Sequence, residues 1–126
     1  FLWFLFPESQ FLGETTPAEN FPAYKAGILE FLLTFFLMLT IINVSTGSKE
    51  IGTMAAIAVG GIILLEAMFA GPMTKASMNP IRSIAPAFFT GNFQYLWLYI
   101  PILGAITAVM SCKWIKDNNC CKQESC

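Results

Sequence analysis

The sequence predicts an all-α membrane protein, with three helices long enough to cross a bilayer and one short helix between the second and third. Two observations carry that reading. The first is composition: 56% of the 126 residues are hydrophobic and 12% are charged, where a soluble domain has about 25% charged residues. Mean hydropathy is +0.62. So few polar side chains cannot cover a water-soluble fold of this size. The second is grouping: the apolar residues gather into three stretches of about 20 residues, the length a membrane helix needs. The same composition excludes other classes. Twelve Phe, three Trp and three Tyr do not suit a disordered or nucleic-acid-binding chain. The chain has no His, which removes zinc-protease, Ser-His and Cys-His chemistry. No nucleophile–base pair or metal-ligand set stands out, so the chain reads as a non-enzyme with no cofactor and no metal. A formal charge of −1 points to no nucleic-acid partner.

Each element follows in order. Residues 1–6, FLWFLF, end at Pro7 and are too short to span; they read as the end of a preceding helix in a longer chain. They lack the basic start of a signal peptide. Residues 7–22 hold Glu8, Glu14 and Glu19 and no basic residue, and read as an external loop. The first span covers 23–43, with its densest apolar part at 28–42, and the second covers 51–70. The third covers 95–115 and opens with Tyr95, Trp97 and Tyr99, read as an interfacial aromatic belt. Pro101 and Gly104 are tolerated inside a membrane helix. Lys49 between the first two spans, and Lys113, Lys116 and Lys122 around the end of the third, place the inner loop and the tail 116–126 in the cytoplasm. Cys112, Cys120, Cys121 and Cys126 sit at or beyond the last span, where a cytoplasmic tail keeps thiols reduced. Their spacing fits no zinc template.

Residues 71–92, GPMTKASMNPIRSIAPAFFTGN, are apolar for a loop. They contain a helix start. Asn79 is a preferred N-cap, because its side-chain oxygen accepts from a free N–H of the first turn. Pro80 suits the first helical position, where its missing N–H costs nothing. A helix over 80–90 follows, about 16 Å long at 1.5 Å per residue, and Gly91-Asn92 ends it. That is half of a hydrocarbon core of about 30 Å. Two readings stand on these grounds: a re-entrant half-helix, whose irregular entry is shielded by protein or lines a wet cavity, or an amphipathic surface helix.

The string SMNPIRS, then PAFFTGNF, then a helix reading LWLY and PILGA, resembles the C-terminal half of the aquaporins, or major intrinsic proteins. That family carries Asn-Pro-Ala-Arg-Ser between its fifth and sixth membrane helices. The resemblance covers nearly the whole chain. It makes 1–6 the end of the third helix, 23–43 the fourth with Glu30, Thr34 and Phe35, 51–70 the fifth and 95–115 the sixth. It makes 71–92 a re-entrant loop and half-helix. The small residues near the narrowest point are similar to those of the nodulin-like intrinsic subgroup and its bacterial relatives. The function implied is a passive channel for water and small neutral solutes (glycerol, urea or metalloid hydroxides) that excludes protons and ions. The resemblance also implies a homotetramer, multi-pass in a plasma or inner membrane, with a cytoplasmic C-terminus and no cofactor.

Site residues carry over by position. Asn79 corresponds to the pore asparagine: with its oxygen engaged in capping, its NH₂ is free to donate to a passing solute. Pro80 fixes the start of the half-helix, and Ile81 replaces the usual Ala. Arg82 corresponds to the selectivity-filter arginine, a permanent cation with a donor fork. Counting back from Asn79 puts two further filter positions at Ala67 and Ala76. Water-specific members commonly carry His at the first, so Ala67 implies a wider, less polar constriction. Ser83 stands where glycerol facilitators usually have Asp, which argues against that branch. Glu30 matches a fourth-helix glutamate that accepts N–H bonds from the re-entrant loop. Glu66 and Lys75 depart from the pattern and suggest a buried pair, each costly alone, or two side chains that separately reach water near the outer mouth. Trp97 and Leu98 replace the family's Tyr-Trp at the start of the sixth helix. The alternative function is a membrane structural or assembly fragment without transport activity, because a pore of this family needs two half-helices and one is visible here.

Overall fold

The computed structural model describes residues 2–8, 13–45 and 49–115. Its elements are α1 (Leu2–Leu5), α2 (Ala23–Ser45), α3 (Lys49–Thr74), α4 (Pro80–Thr90) and α5 (Leu96–Ile115). Three of them, α2, the part of α3 from Met54 to Thr74, and α5, are long and apolar enough to cross a membrane. The tail cysteines Cys120, Cys121 and Cys126, with Lys116 and Lys122, lie outside the described residues.

Helix α2 is the centre of the arrangement: α3 packs on one side of it and α5 on another, while α4 packs on α5. Small residues allow the closest contact. Gly104 of α5 lies so near α2 that an added Cβ would stand 2.7 Å from the Phe31 carbonyl oxygen. Ala26, Gly27 and Ala108 are buried beside it along the two helices. In a bilayer, where lipid is as apolar as Leu, such close backbone packing is what holds helices together. Large side chains face the other way: Leu64, Leu65, Met68 and Phe69 of α3 are exposed.

Three local expectations change. Helix α3 runs to Thr74 rather than stopping at residue 70, through Pro72. A proline in the last turn removes one N–H, and the turn is held otherwise: Lys75 N–H donates to Gly71 O at 3.0 Å and Thr74 Oγ1 to Ala70 O at 3.4 Å. Trp97 is no part of an aromatic belt, being fully buried while Tyr95 and Tyr99 are exposed. Positions two apart on a helix diverge by about 200°, given 3.6 residues per turn, so Trp97 and Tyr99 cannot share a face. Cys112 is disulfide-bonded and packed with Ile42, not the reduced thiol expected.

Candidate functional site

The segment from Lys75 to Asn79 links the end of α3 to α4 and folds back beside α2. Its backbone is unusual. Lys75, Ala76 and Met78 have φ of 66°, 44° and 52°, the left-handed region that costs a non-glycine residue about 1–2 kcal/mol. Such a run persists only where its surroundings enforce it. The enforcing group is Glu30. Its side chain is fully buried, with Oε1 accepting from Ser77 N–H and Oε2 from Met78 N–H, both at 2.9 Å. One carboxylate thus satisfies two consecutive amides that the reversal leaves without helical partners. Thr74 Oγ1 accepts from Ala76 N–H at 3.2 Å, and the Ala76 methyl is buried with Leu33 and Ala70. Glu30 lies seven residues into α2, about 10 Å along its axis at 1.5 Å per residue. The turn therefore sits well in from the Ala23 end of that helix.

Helix α4 follows this turn directly. Asn79 is its N-cap, with φ −150° and ψ 122°, and its Oδ1 accepts from Ile81 N–H at 2.9 Å. Pro80 holds the first helical position, and Gly91 closes the helix in the left-handed conformation, its N–H donating to Ala87 O. The observed bounds, Pro80–Thr90, are those the capping residues predict. Capping uses the Asn79 oxygen and leaves its NH₂ exposed with no hydrogen bond among the described residues. Ile81 and Arg82 are also exposed. The first turn of α4 thus presents an amide donor and a guanidinium, reinforced by the positive end of the helix dipole.

A hydroxyl chain ties this turn to the segment 13–22, and nothing in the sequence pattern points to it. Thr15 Oγ1 donates to Ser83 Oγ at 2.7 Å. Ser83 Oγ meets Ser77 Oγ, and Ser77 Oγ donates to Asn79 O at 2.9 Å. All three hydroxyl residues are buried. Ala18 N–H adds a bond to Met73 O at 2.9 Å, so the segment 13–22 is joined both to the end of α3 and to the start of α4.

Of the remaining expected site residues, Ala67 is exposed on α3 and Ala76 turns its methyl inward. Glu66 and Lys75 are not brought together. Both Glu66 carboxylate oxygens are buried without a hydrogen-bond partner among the described residues, while Lys75 is exposed. The left-handed backbone at Lys75 begins the chain reversal, and Glu66 lies more than two turns earlier in α3, beside Leu29, Leu33 and Phe36 of α2. An unpartnered buried carboxylate destabilises. Replacing Glu66 by Leu is therefore expected to raise thermal stability in detergent by about 1–3 kcal/mol; a lower melting temperature would reveal a partner for the carboxylate.

Comparisons with known proteins place the chain in a family. The family model described as Major intrinsic protein matches residues 3–111. Nodulin-26 of Glycine max is 41% identical over 107 residues, 83% of this chain and 38% of that protein. Aquaporin NIP1-1 of Oryza sativa subsp. japonica is 43% identical over 94 residues, 73% of this chain and 33% of the relative. Aquaporin NIP1-2 of Arabidopsis thaliana is 40% identical over 99 residues, 77% of this chain and 33% of the relative. The chain thus spans about a third of the length of the curated relatives it matches.

Proposed function

Because the chain belongs to the major intrinsic protein family, we propose that it builds half the wall of a passive channel for water and small neutral solutes. The observation that carries this reading is the capped Asn79. Its oxygen is committed to Ile81 N–H, so its amide faces the passage as a donor only. A passing water accepts from it and is turned away from relaying protons along a hydrogen-bonded file. The half-helix dipole and Arg82 add positive potential that repels cations and protons, a selectivity device of oriented half-helices. Arg82 also offers a donor fork to hydroxyl or carbonyl groups. The small Ala67 leaves room for solutes larger than water, and glycerol, urea and metalloid hydroxides are the class proposed. The buried methyl of Ala76 leaves its backbone as its contribution to the passage. The assembly proposed is a homotetramer, multi-pass in a plasma or inner membrane, with residues 116–126 in the cytoplasm.

The test is stopped-flow light scattering on proteoliposomes, with the chain as given and with its reading frame extended upstream, under water and glycerol gradients. Accelerated shrinkage over empty vesicles is expected with the extended chain. Replacing Arg82 by Val is expected to raise the glycerol-to-water permeability ratio several-fold and to admit small cations. Verified insertion with no permeability in either form would favour a structural or assembly role without transport. An unchanged ratio in the Arg82 variant would remove that residue from the filter.

A further inference from the structure

The hydroxyl chain between Thr15 and Asn79 has a fixed direction. It ends on the Asn79 carbonyl oxygen, which can only accept, so the single O–H of Ser77 is committed there at 2.9 Å. Ser77 Oγ therefore meets Ser83 Oγ as an acceptor, and the Ser83 O–H is spent in its turn. Ser83 Oγ then accepts from Thr15 Oγ1 at 2.7 Å. Thr15, Ser83 and Ser77 are all buried, so bulk water has little access to these bonds. We propose that this one-way relay lets the segment 13–22 position the Asn79 amide donor, which makes Thr15 and Ser83 positioning residues for the passage; the inference rests on the channel reading above.

Asn79 has two freedoms to fix. Its side chain is set by its own cap bond, Oδ1 accepting from Ile81 N–H. The direction of its carbonyl is its ψ, 122°, and the relay holds that carbonyl. A serine hydroxyl in a helix can return to the carbonyl four residues back, which from Ser83 is Asn79 O. Here Ser77 stands between, so the same carbonyl is reached by a chain of bonds that starts 68 residues before Ser83. Hydrogen bonds in a chain polarise one another, and Thr15 thereby strengthens the last link without touching Asn79. The same segment also holds the near side of the reversal, where Ala18 N–H donates to Met73 O at 2.9 Å. With one bond before the left-handed residues Lys75, Ala76 and Met78 and one after them, the segment 13–22 brackets the turn. The relay is not a proton wire, because a carbonyl oxygen has no proton to hand on.

The test reads hydrogen exchange of the Ile81 amide, which the Asn79 cap protects, by NMR in nanodiscs. The Gly91 amide, at the far end of α4, is the internal control. Thr15→Val keeps the branched shape and loses the hydroxyl. Ile81 exchange is expected to rise about two- to tenfold in it, the weight of one neutral hydrogen bond, with Gly91 unchanged. Thr15→Ser keeps the donor and is expected to restore the protection. Ser77→Ala cuts the relay beyond Thr15, so adding Thr15→Val to it is expected to change nothing more, the non-additivity of residues that act as one network. Water permeability per inserted chain, measured in the upstream-extended form, is expected to fall in Thr15→Val and to return in Thr15→Ser. The proposal is overturned by unchanged Ile81 exchange in Thr15→Val, by equal acceleration at Ile81 and Gly91, or by additive effects of the Thr15 and Ser77 substitutions. Unchanged permeability in Thr15→Val, where the parent chain conducts, overturns it too. A parent chain that does not conduct defeats the channel reading instead, and the exchange pattern still decides whether Thr15 positions Asn79.

Discussion

Replacing Glu30 by Ala is expected to release the turn at 75–79. Two amides, the buried Ser77 and the half-buried Met78, lose their acceptor together. At about 1–3 kcal/mol for each buried group left unpaired, the loss is about 2–6 kcal/mol, concentrated in a segment whose three left-handed residues already need support. Glutamine does not rescue fully. Its oxygen can accept one N–H, but its NH₂ then faces the second amide, donor against donor. Aspartate keeps the charge on a shorter stem and cannot reach both amides without moving α2. The measurement is amide hydrogen exchange at Ser77 and Met78 in detergent, with thermal unfolding in parallel. Exchange is expected to accelerate sharply in Glu30→Ala and to an intermediate degree in Glu30→Gln. Unchanged exchange in both would show that the turn stands without the carboxylate.

The second large effect is expected at Gly104. An added Cβ meets Phe31 O at 2.7 Å, Thr34 Cβ at 3.1 Å and Phe35 N at 3.3 Å. Two of these atoms are backbone, so no side-chain rotation relieves the clash and α5 must move off α2. Gly104→Ala is expected to lower stability by about 1–3 kcal/mol, the usual cost of overpacking, and Gly104→Leu by more. Gly60 is the control. Nothing lies within 4 Å of an added Cβ there, so Gly60→Ala is expected to stabilise by about 0.5–1 kcal/mol through helix propensity. Melting curves of the three variants in one detergent settle the comparison. Equal melting temperatures for Gly104→Ala and Gly60→Ala would mean that the helices separate without cost.

What could be read from the sequence divides by physical range. The spans were legible because hydropathy is a property of consecutive residues. The bounds of α4 were legible because Asn79, Pro80 and Gly91 act within one turn of their own positions. The resemblance to a known family supplied the match of Glu30 to a loop-supporting carboxylate, since no local pattern links residues 47 apart. Longer-range features were out of reach. The Thr15–Ser83 bond joins residues 68 apart through two hydroxyls that look like ordinary loop and helix residues. The Glu66–Lys75 pairing failed because side-chain direction at Lys75 is set by a left-handed φ, and lysine gives no hint of one. Its place in a position where the family usually has Gly was the available signal: it marks backbone conformation, not charge balance.

The bonds from Ser77 and Met78 to Glu30 also impose an order in time. When α2 enters the bilayer, the amides that will satisfy Glu30 have yet to be synthesised, 47 and 48 residues further on. At about 5–20 residues per second, the carboxylate waits several seconds for them. During that interval α2 bears an unpaired acid in its N-terminal half, which its Leu, Ile and Phe residues must outweigh for insertion. Completion of the turn then removes that burden. Helix α2 is thus completed by a segment made later, and a pause in synthesis between Ser45 and Ser77 prolongs the exposed state.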